Sequence, residues 1–404
     1  MLKAVLGVSG SIAAYRAGDL VREFRRRGHQ VRVVMTAAAQ AFVTPLTLET
    51  LSGARVALHG VNQPEEWSVE HVGLARWGDV LLVAPASADL MAKMARGIAD
   101  DFLSTLHLAF EGPVMVAPAM NPSMWNHPAV RENAGILRHR GVLVIEPQPG
   151  KMACGEEGTG RMASVDAVVS EVEHACAKGP LTGRRVLISA GATQEPLDAA
   201  RHVSSPSTGR MGFAMAATAF RRGAEVTLVS GPTPLETPWG VGRVDVRTVD
   251  EMNKALTARF KHCDVLVMSA AVSDARPASP AKGKTKKQKM PRSVAFAPTV
   301  DILKSLSGSA GKKRPFLLGF AAEEAKNLKS EGERKLREKN LDALFANPID
   351  TKDAGFASAE NEGILLFAGK WERKPLTRAR ASKDETAEKI WDAIEPLLSR
   401  KKAG

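Results

Sequence analysis

"DVLLVAPASADLMAKMARG", Asp79 to Gly97, decides the fold class. An apolar run with the composition of a strand stops in a cluster of small residues, and Ser87 and Asp89 then stand at the entrance of a helical stretch. The layout recurs in "KAVLGVSGS" (Lys3 to Ser11), "QVRVVMT" (Gln30 to Thr36), "VMVAPAMN" (Val114 to Asn121) and "VLVIEP" (Val142 to Pro147). Strands alternating with helices imply a doubly wound parallel sheet. A second series begins after Lys178–Gly183 with "RRVLISAGAT", "EVTLVSGPT", "DVLVMSAAVSD", "PFLLGFAAE", "LDALFANP" and "GILLFAG". The chain therefore reads as two doubly wound, Rossmann-like α/β domains, residues 1–180 and 181–404.

In such sheets ligands bind outside the carboxyl ends of the strands, where these small-residue clusters lie. "GVSGSIAAY", Gly7 to Tyr15, passes from strand to helix through Gly10, Ser11 and Ile12. Its backbone N–H groups suit a phosphate, but the full GxGxxG spacing is missing, so it is no NAD fingerprint and a plain tight turn is the alternative. Thr36, Ser87 and Asp89 face the same crevice, although Asp89 also reads as a helix cap. In "VMVAPAMNPSMW", Pro118 and Pro122 bracket Asn121 where strand pairing must stop. His71 falls between a helical and a strand stretch and reads equally as a packed residue. Cys154 lies in the glycine-rich "GKMACGEEGTGRM", a flap composition rather than a core.

The chain has 404 residues, more than one ordinary core holds, and 44% hydrophobic with 25% charged residues reads as soluble and globular. No run approaches the roughly 18 uninterrupted apolar residues of a membrane span. The first strand starts at Lys3 with no room for a signal peptide, so the expected compartment is the cytoplasm. Three cysteines, Cys154, Cys176 and Cys263, are too few and scattered for a disulfide framework or a CxxC metal site. A net charge of +12 suits nucleic acid or anionic small molecules, but one tyrosine and no aromatic–basic interleaving leave no stacking platform. "RPASPAKGKTKKQKMPRS", Arg276 to Ser293, reads as a solvated, mobile loop unless an anion orders it.

In order, "GSIAAY", "EHVGLA", "APASADLMAKMARGIADD", "PAMN" and "CGEEGTGRM" resemble the flavin-dependent cysteine decarboxylases, specifically those that make phosphopantetheine. The resemblance covers about the first 175 residues. It implies an FMN cofactor held around Gly10, Ser11, Ile12, Thr36, Ser87 and Asp89. It also implies that Asn121 binds the carboxylate of the substrate's cysteinyl end, that His71 acts near the flavin, and that Cys154 supplies a proton. Oxidation of the thiol to a thioaldehyde would let the carbanion delocalise as carbon dioxide leaves.

"SAGATQEPLDAARHVSSPSTGRMGFAMAATAFRRGAEVTLVSGPT", then "SAAVSDARP", "KTKK", "GFAAE" and "KLREKNLDALFAN", resemble the phosphopantothenate-cysteine ligases. That likeness implies a CTP-dependent ligation of cysteine to 4′-phosphopantothenate through an acyl-cytidylate, with Mg2+ accompanying CTP. Lys284, Lys335 and Lys339 match positions that meet the triphosphate, though such lysines also make a solvated face. Met268, Ser269, Ala270, Asp274, Asp301 and Phe320 match positions near the nucleotide, and Asp301 also reads as a cap. Three places depart from the family: Ser205 in "SPSTGR" stands where an Asn is usual, Thr299 and Val300 replace an Asn-Pro pair, and Ala359 replaces the Asp of Asp-x-Asn.

The chain thus resembles the bifunctional coenzyme A biosynthesis proteins. An active decarboxylase with a degenerate or respecialised ligase half is the alternative, motivated by Ser205 and Thr299. A regulatory flavin-binding protein is a rival from another class, against which Asn121, His71 and Cys154 argue. The resemblance implies small-molecule substrates, no nucleic acid or membrane partner, and a homo-oligomer built from decarboxylase trimers and ligase dimers, together a dodecamer. The metal ligands are left open.

Overall fold

The computed structural model describes residues 1–58, 67–151, 155–289, 292–309, 314–350 and 360–400. The chain divides into two compact units, Met1–Cys176 and Ala177–Gly404.

The first unit is built on a five-stranded sheet ordered Gln30–Met35, Lys3–Val8, Val80–Ala86, Val114–Pro118, Leu143–Val144, and every neighbouring pair is parallel. Val80–Ala86 is buried along its whole length, as expected of a strand covered on both faces. The chain order reverses between Lys3–Val8 and Val80–Ala86, which opens a crevice at their carboxyl ends. Ala17–Arg26 packs with Pro45–Ser52 and Val165–Ala175, and Ala88–Arg96 packs with Pro128–His139. A small antiparallel hairpin, Gln148–Lys151 with Glu157–Arg161, stands apart from the main sheet.

The second unit has an eight-stranded sheet ordered Gly242–Asp245, Glu225–Ser230, Arg185–Ala190, Val265–Met268, Phe316–Glu323, Ala343–Pro348, Glu360–Phe367, Leu376–Ser382. Its reversal point lies between Arg185–Ala190 and Val265–Met268. Only the last two strands are antiparallel to their neighbours, a departure from the parallel sheet expected throughout. For the final pair the cause is the connection: Phe367 and Leu376 are joined by a short link holding one turn at Gly369–Trp371, too short for the crossover a parallel pair requires. The edge strands Gly242–Asp245 and Leu376–Ser382 were absent from the sequence reading because "GRVD" and "LTRARAS" are charged and half exposed.

The basic stretch that begins at Arg276 is anchored at points among its described residues, while Lys282 and Lys284 stand exposed. Ala275–Pro277 pairs with Phe296–Pro298, Thr285 N–H donates to Asp198 Oδ2 (3.2 Å), and Arg201 donates to the Thr285 carbonyl (2.9 Å). Arg201 beside it holds the Asp198 carboxyl well below the usual range.

Candidate functional sites

In the first unit, Asn121 follows the strand Val114–Pro118 and precedes the short helix Pro122–Asn126. Its backbone is extended (φ −58°, ψ 147°), the conformation a following proline imposes, and Pro122 then starts the helix. The Asn121 side chain caps that helix: Oδ1 accepts from the Ser123 N–H at 2.7 Å. The carbonyl oxygen is therefore committed to the backbone, and Nδ2 is the end presented outward. It donates to Glu156 Oε2 at 2.5 Å, so the amide meets a carboxylate within the chain itself.

The hairpin is locked onto this turn. Met120 N–H donates to the Gly160 carbonyl (3.0 Å), and a Cβ on Gly160 would lie 2.3 Å from the Met120 carbonyl oxygen. Only glycine allows that approach. Together these elements line an open cavity of about 660 Å³. Asn121, Met120, Ser11, Ile12, Tyr15 and Met162 line it, along with the basic Arg16, Lys151 and Arg161.

Of the cofactor residues expected from sequence, Ser11 and Ile12 reach this cavity, whereas Gly10, Thr36, Ser87 and Asp89 are not among its lining. Gly10, Thr36 and Ser87 nevertheless shape the strand-end turns. Ser9 Oγ donates to the Pro85 carbonyl and accepts from Ser87 N–H, both at 2.8 Å, joining the two central strand ends. A Cβ on Gly10 would lie 2.6 Å from the Ala38 Cβ, in the turn capped by Thr36. The expected helix after Ser11 begins as a 3-10 turn, Ile12–Arg16, before Ala17–Arg26 continues it. Asp89 is not the cap of its helix. Ser87 is, through Leu90 N–H (3.3 Å), and Asp89 stands exposed in the first turn with Lys93 at 3.7 Å.

His71 lies within a helix, Trp67–Trp77, rather than between elements, and its ring stands edge-on to Phe102 at 6.4 Å. It does not line the cavity of Asn121. Cys154 lies outside the described residues.

The second unit holds a cavity of about 340 Å³ at the carboxyl ends of its central strands. Met268, Ser269 and Ala270 close one wall, fixed to the neighbouring strand by Ser269 Oγ donating to the Ser189 carbonyl (2.7 Å) and Ala270 N–H donating to Ser189 Oγ (3.2 Å). Asp274, Asp301 and Phe320 also line it, the Phe320 ring resting 5.6 Å from that of Phe345. Lys335 and Lys339 enter from one face of the helix Leu328–Glu338 and its end, each with a carboxylate: Lys335 pairs with Glu323, and Lys339 with Asp301 at 3.0 Å. Asp301 is indeed a helix cap, accepting from Lys304 N–H at 3.0 Å. Partial burial raises its carboxyl, but the Lys304 N–H and the Lys339 ammonium outweigh that and leave it lowered.

Ser205 lines this cavity, whereas Lys284 is exposed and is not in the lining. Thr299 has a structural use: its hydroxyl donates to the Ser273 carbonyl at 2.5 Å, closing the turn beside Asp274. Ala359 is outside the described residues. The helix Arg210–Arg221 points its start into the cavity, with Gly209 at φ 81° as a cap that contributes no side chain. Gly212 lets it approach, since a Cβ there would lie 2.5 Å from both Ala190 Cβ and Ser269 Oγ. Sequence reasoning passed over Arg210, Asn347 and Lys383, all of which line the cavity. Arg210 had a signal, its position beside Gly209 at a strand-to-helix turn. Lys383 had none, being brought in by the fold from the far end of the chain.

Among the described residues, no group of three or more His, Cys, Asp or Glu could hold a metal ion, and no helix is long and apolar enough to cross a membrane.

A family profile described as Flavoprotein matches residues 1–176, and one described as DNA/pantothenate metabolism flavoprotein C-terminal domain matches residues 181–397. The Coenzyme A biosynthesis bifunctional protein CoaBC of Escherichia coli (strain K12) is 43% identical over 368 residues, 90% of each chain. That of Vibrio cholerae is 41% identical over 398 residues, 98% of each chain. The Bacillus subtilis protein is 38% identical over 367 residues, again 90% of each. Likeness through both halves does not favour the alternative of a lost or respecialised ligase. The chain belongs to the family of coenzyme A biosynthesis bifunctional proteins, a decarboxylase and a ligase in one polypeptide.

Proposed function

We propose that the second unit joins cysteine to 4′-phosphopantothenate at the expense of CTP, through an acyl-cytidylate, and that the first unit decarboxylates the product to 4′-phosphopantetheine. The observation that carries the decarboxylase assignment is the Asn121 amide, its oxygen tied to the helix start and its nitrogen already donating to a carboxylate. A substrate carboxylate meets the same donor, held without further ordering of the side chain.

FMN is the cofactor of this reading. The residues suit it: a phosphate finds Arg16, Lys151 and Arg161, and an aromatic ring system finds Ile12, Tyr15, Met120 and Met162. When bound, it would supply reversible two-electron chemistry, accepting two electrons from the substrate thiol before carbon dioxide leaves and returning them to the ene-thiol afterwards. Gly10, Thr36, Ser87 and Asp89 shape the turns beside it. His71 positions the reacting end, and Cys154 delivers a proton from its thiol to the product carbon. His71 is separate from the Asn121 cavity of its own chain, which supports a site completed by a neighbouring copy. Ile12, Tyr15, Phe42 and Leu46, large apolar side chains at least 46% exposed, support such a neighbour as well. A trimer of decarboxylase units and a dimer of ligase units, together a dodecamer, is the assembly we infer.

In the ligase unit, Met268, Ser269, Ala270 and Phe320 hold the nucleotide, and Lys335 and Lys339 meet its phosphates, with Lys284 brought from its loop. Mg2+ enters with CTP, held chiefly by phosphate oxygens with Asp274 or Asp301 beside it. Ser205 takes the role an asparagine has in relatives, orienting the acyl-cytidylate. The reactions belong to the cytoplasm, where these metabolites are made.

The test is incubation of the purified protein with 4′-phosphopantothenate, cysteine, CTP and magnesium, followed by mass spectrometry. Phosphopantetheine is the expected product. Accumulated phosphopantothenoylcysteine would remove the decarboxylase assignment, and unchanged substrates would remove the ligase assignment, the decarboxylase then being tested with phosphopantothenoylcysteine supplied directly.

A further inference from the structure

We propose that Glu156 competes with the substrate's carboxylate for the Asn121 amide, so that binding of an acid at this site is an exchange of one carboxylate for another. The inference deepens the decarboxylase assignment above and rests on its reading of Asn121.

The hairpin delivers Glu156 to that position. Gly160, Gly158 and Glu156 are alternate residues of one segment and address the same turn, as alternate residues of an extended strand do. A Cβ on Gly160 would strike the Met120 carbonyl oxygen, and one on Gly158 would lie 2.9 Å from the Pro122 Cβ. Both glycines therefore bring backbone against the turn. Glu156, directly before the strand Glu157–Arg161, is the next on that face and the first to carry a side chain. Its Oε2 accepts from Asn121 Nδ2 at 2.5 Å. Its neighbour Glu157 takes the opposite face and stands in register with Lys151 on the other strand of the hairpin.

The surroundings favour an anion at this amide. Arg16, Lys151 and Arg161 line the cavity beside it, and Asn121 Oδ1 is committed to the Ser123 N–H, which fixes Nδ2 as the end that meets an acceptor. Glu156 is exposed and is not among the lining residues, so it reaches the amide from the solvent side and gives it up for water at little cost. A substrate carboxylate takes its place, because two like charges on one amide repel. Breaking the bond between the carboxyl carbon and its neighbour sends the electron pair to the carbon left behind, and the two oxygens leave as neutral carbon dioxide. The anion that displaced Glu156 is then gone, and Glu156 retakes the amide. Its bond is intact with product and broken only with acid. By offsetting part of the acid's binding, Glu156 keeps Asn121 from stabilising the reactant more than the transition state, where the carboxylate charge disperses.

The experiment uses the full chain loaded with FMN and two ligands that differ only in the carboxylate. One is phosphopantothenoylserine, in which a hydroxyl replaces the reactive thiol, and the other is its carboxylate-free counterpart, the ethanolamine amide of 4′-phosphopantothenate. Affinities are read from the change in flavin absorbance on titration, which reports the first unit alone, for the wild type, Glu156→Ala, Glu156→Gln and Glu157→Ala. Glu156→Ala is expected to tighten the carboxylate-bearing ligand by about three- to tenfold and to leave the other unchanged. Glu156→Gln keeps an acceptor without the charge and should fall between wild type and Glu156→Ala. Glu157→Ala removes the same charge one residue away and should leave the ratio of the two affinities as in the wild type. Unchanged or weaker binding of the carboxylate-bearing ligand to Glu156→Ala overturns the inference, weaker binding marking Glu156 as a support for Asn121 instead. Equal tightening in Glu157→Ala also overturns it, because the effect would then be one of net charge. Asn121→Asp decides the underlying assignment: an unchanged affinity for the carboxylate-bearing ligand there would remove Asn121 from the site, and the inference with it.

Discussion

At the scale of single residues, Asn121 illustrates how one side chain serves structure and chemistry with different atoms. Asn121→Asp keeps a capping oxygen for the Ser123 N–H but replaces the outward donor by an acceptor. The variant should fold, with a modest loss of stability because the new carboxylate faces Glu156, and lose decarboxylation by roughly a hundredfold or more, read as carbon dioxide release; near-normal turnover would remove Asn121 from the site. Gly160 makes the opposite case, a residue whose absence of a side chain is its function. Gly160→Ala drives a methyl against the Met120 carbonyl and the Pro122 nitrogen, both backbone, so the neighbour cannot rotate away. We expect a loss of about 1–3 kcal/mol, measured by chemical denaturation, together with a loss of decarboxylation as the hairpin lifts from the turn. The proline bracket around Asn121 was legible in sequence, because proline's constraints are local. The contact of Gly160 with Met120 was not, because it joins segments that no local pattern connects.

At the scale of elements, the helix Ala17–Arg26 is clamped to Val165–Ala175 by a charged network. Arg27, its side chain 9% exposed, pairs with Glu23 at 2.7 Å, Glu173 at 2.5 Å and Asp166 at 2.6 Å, and His29 reaches Glu173 at 2.8 Å. Removing the arginine leaves half-buried carboxylates facing one another. Arg27→Ala should therefore cost about 3 kcal/mol of stability in the first unit, seen as a lower denaturant midpoint. The same network predicts acid sensitivity. Arg26 hydrogen-bonds Glu23 and, with Arg27, outweighs its burial, lowering the carboxyl pKa from 4.5 to about 2. A depressed carboxylate contributes stability that is present above its unfolded value of 4.5 and is lost as pH falls toward about 2. Glu23→Gln should flatten the acid limb of an unfolding-versus-pH curve across that window; an unchanged limb would exclude Glu23 as a contributor. Central strands such as Val80–Ala86 were legible because burial on both faces leaves an unbroken apolar run. Helix starts were less so: Asp89 resembles a cap as much as Ser87 does, and only geometry separates them.

At the scale of the whole molecule, each unit has its own apolar core, one gathered around residues such as Leu81, Val83 and Leu103 and the other around Val186, Phe316 and Trp391. The alternation of strands and helices made both sheets readable, since period and spacing survive in any doubly wound fold. The site of the second unit was readable only in part. Ser205, Asp274 and Lys335 lie within motifs, but Lys383 arrives from a helix that ends the fold. A site completed between copies predicts an assembly larger than one chain. Light scattering on the purified protein should give a mass near that of twelve chains if both modes of association operate, and a monomer at enzymatic concentrations would exclude the shared decarboxylase site.

The edges of the eight-stranded sheet bear on how the protein behaves when crowded. An edge strand offers an unpaired row of backbone donors and acceptors, a template on which a stranger's strand can add without limit. Here one edge carries Arg243 and Asp245, joined at 2.7 Å, and the other carries Arg378 and Arg380, the latter paired with Glu360 on the adjacent strand. An incoming strand would have to displace these pairs and bring its own side chains against bound charge. The charges that kept both segments out of the strand reading thus act as gatekeepers against runaway polymerisation, and replacing Arg378 and Arg380 with valine is expected to turn a discrete particle into one that grows from that edge.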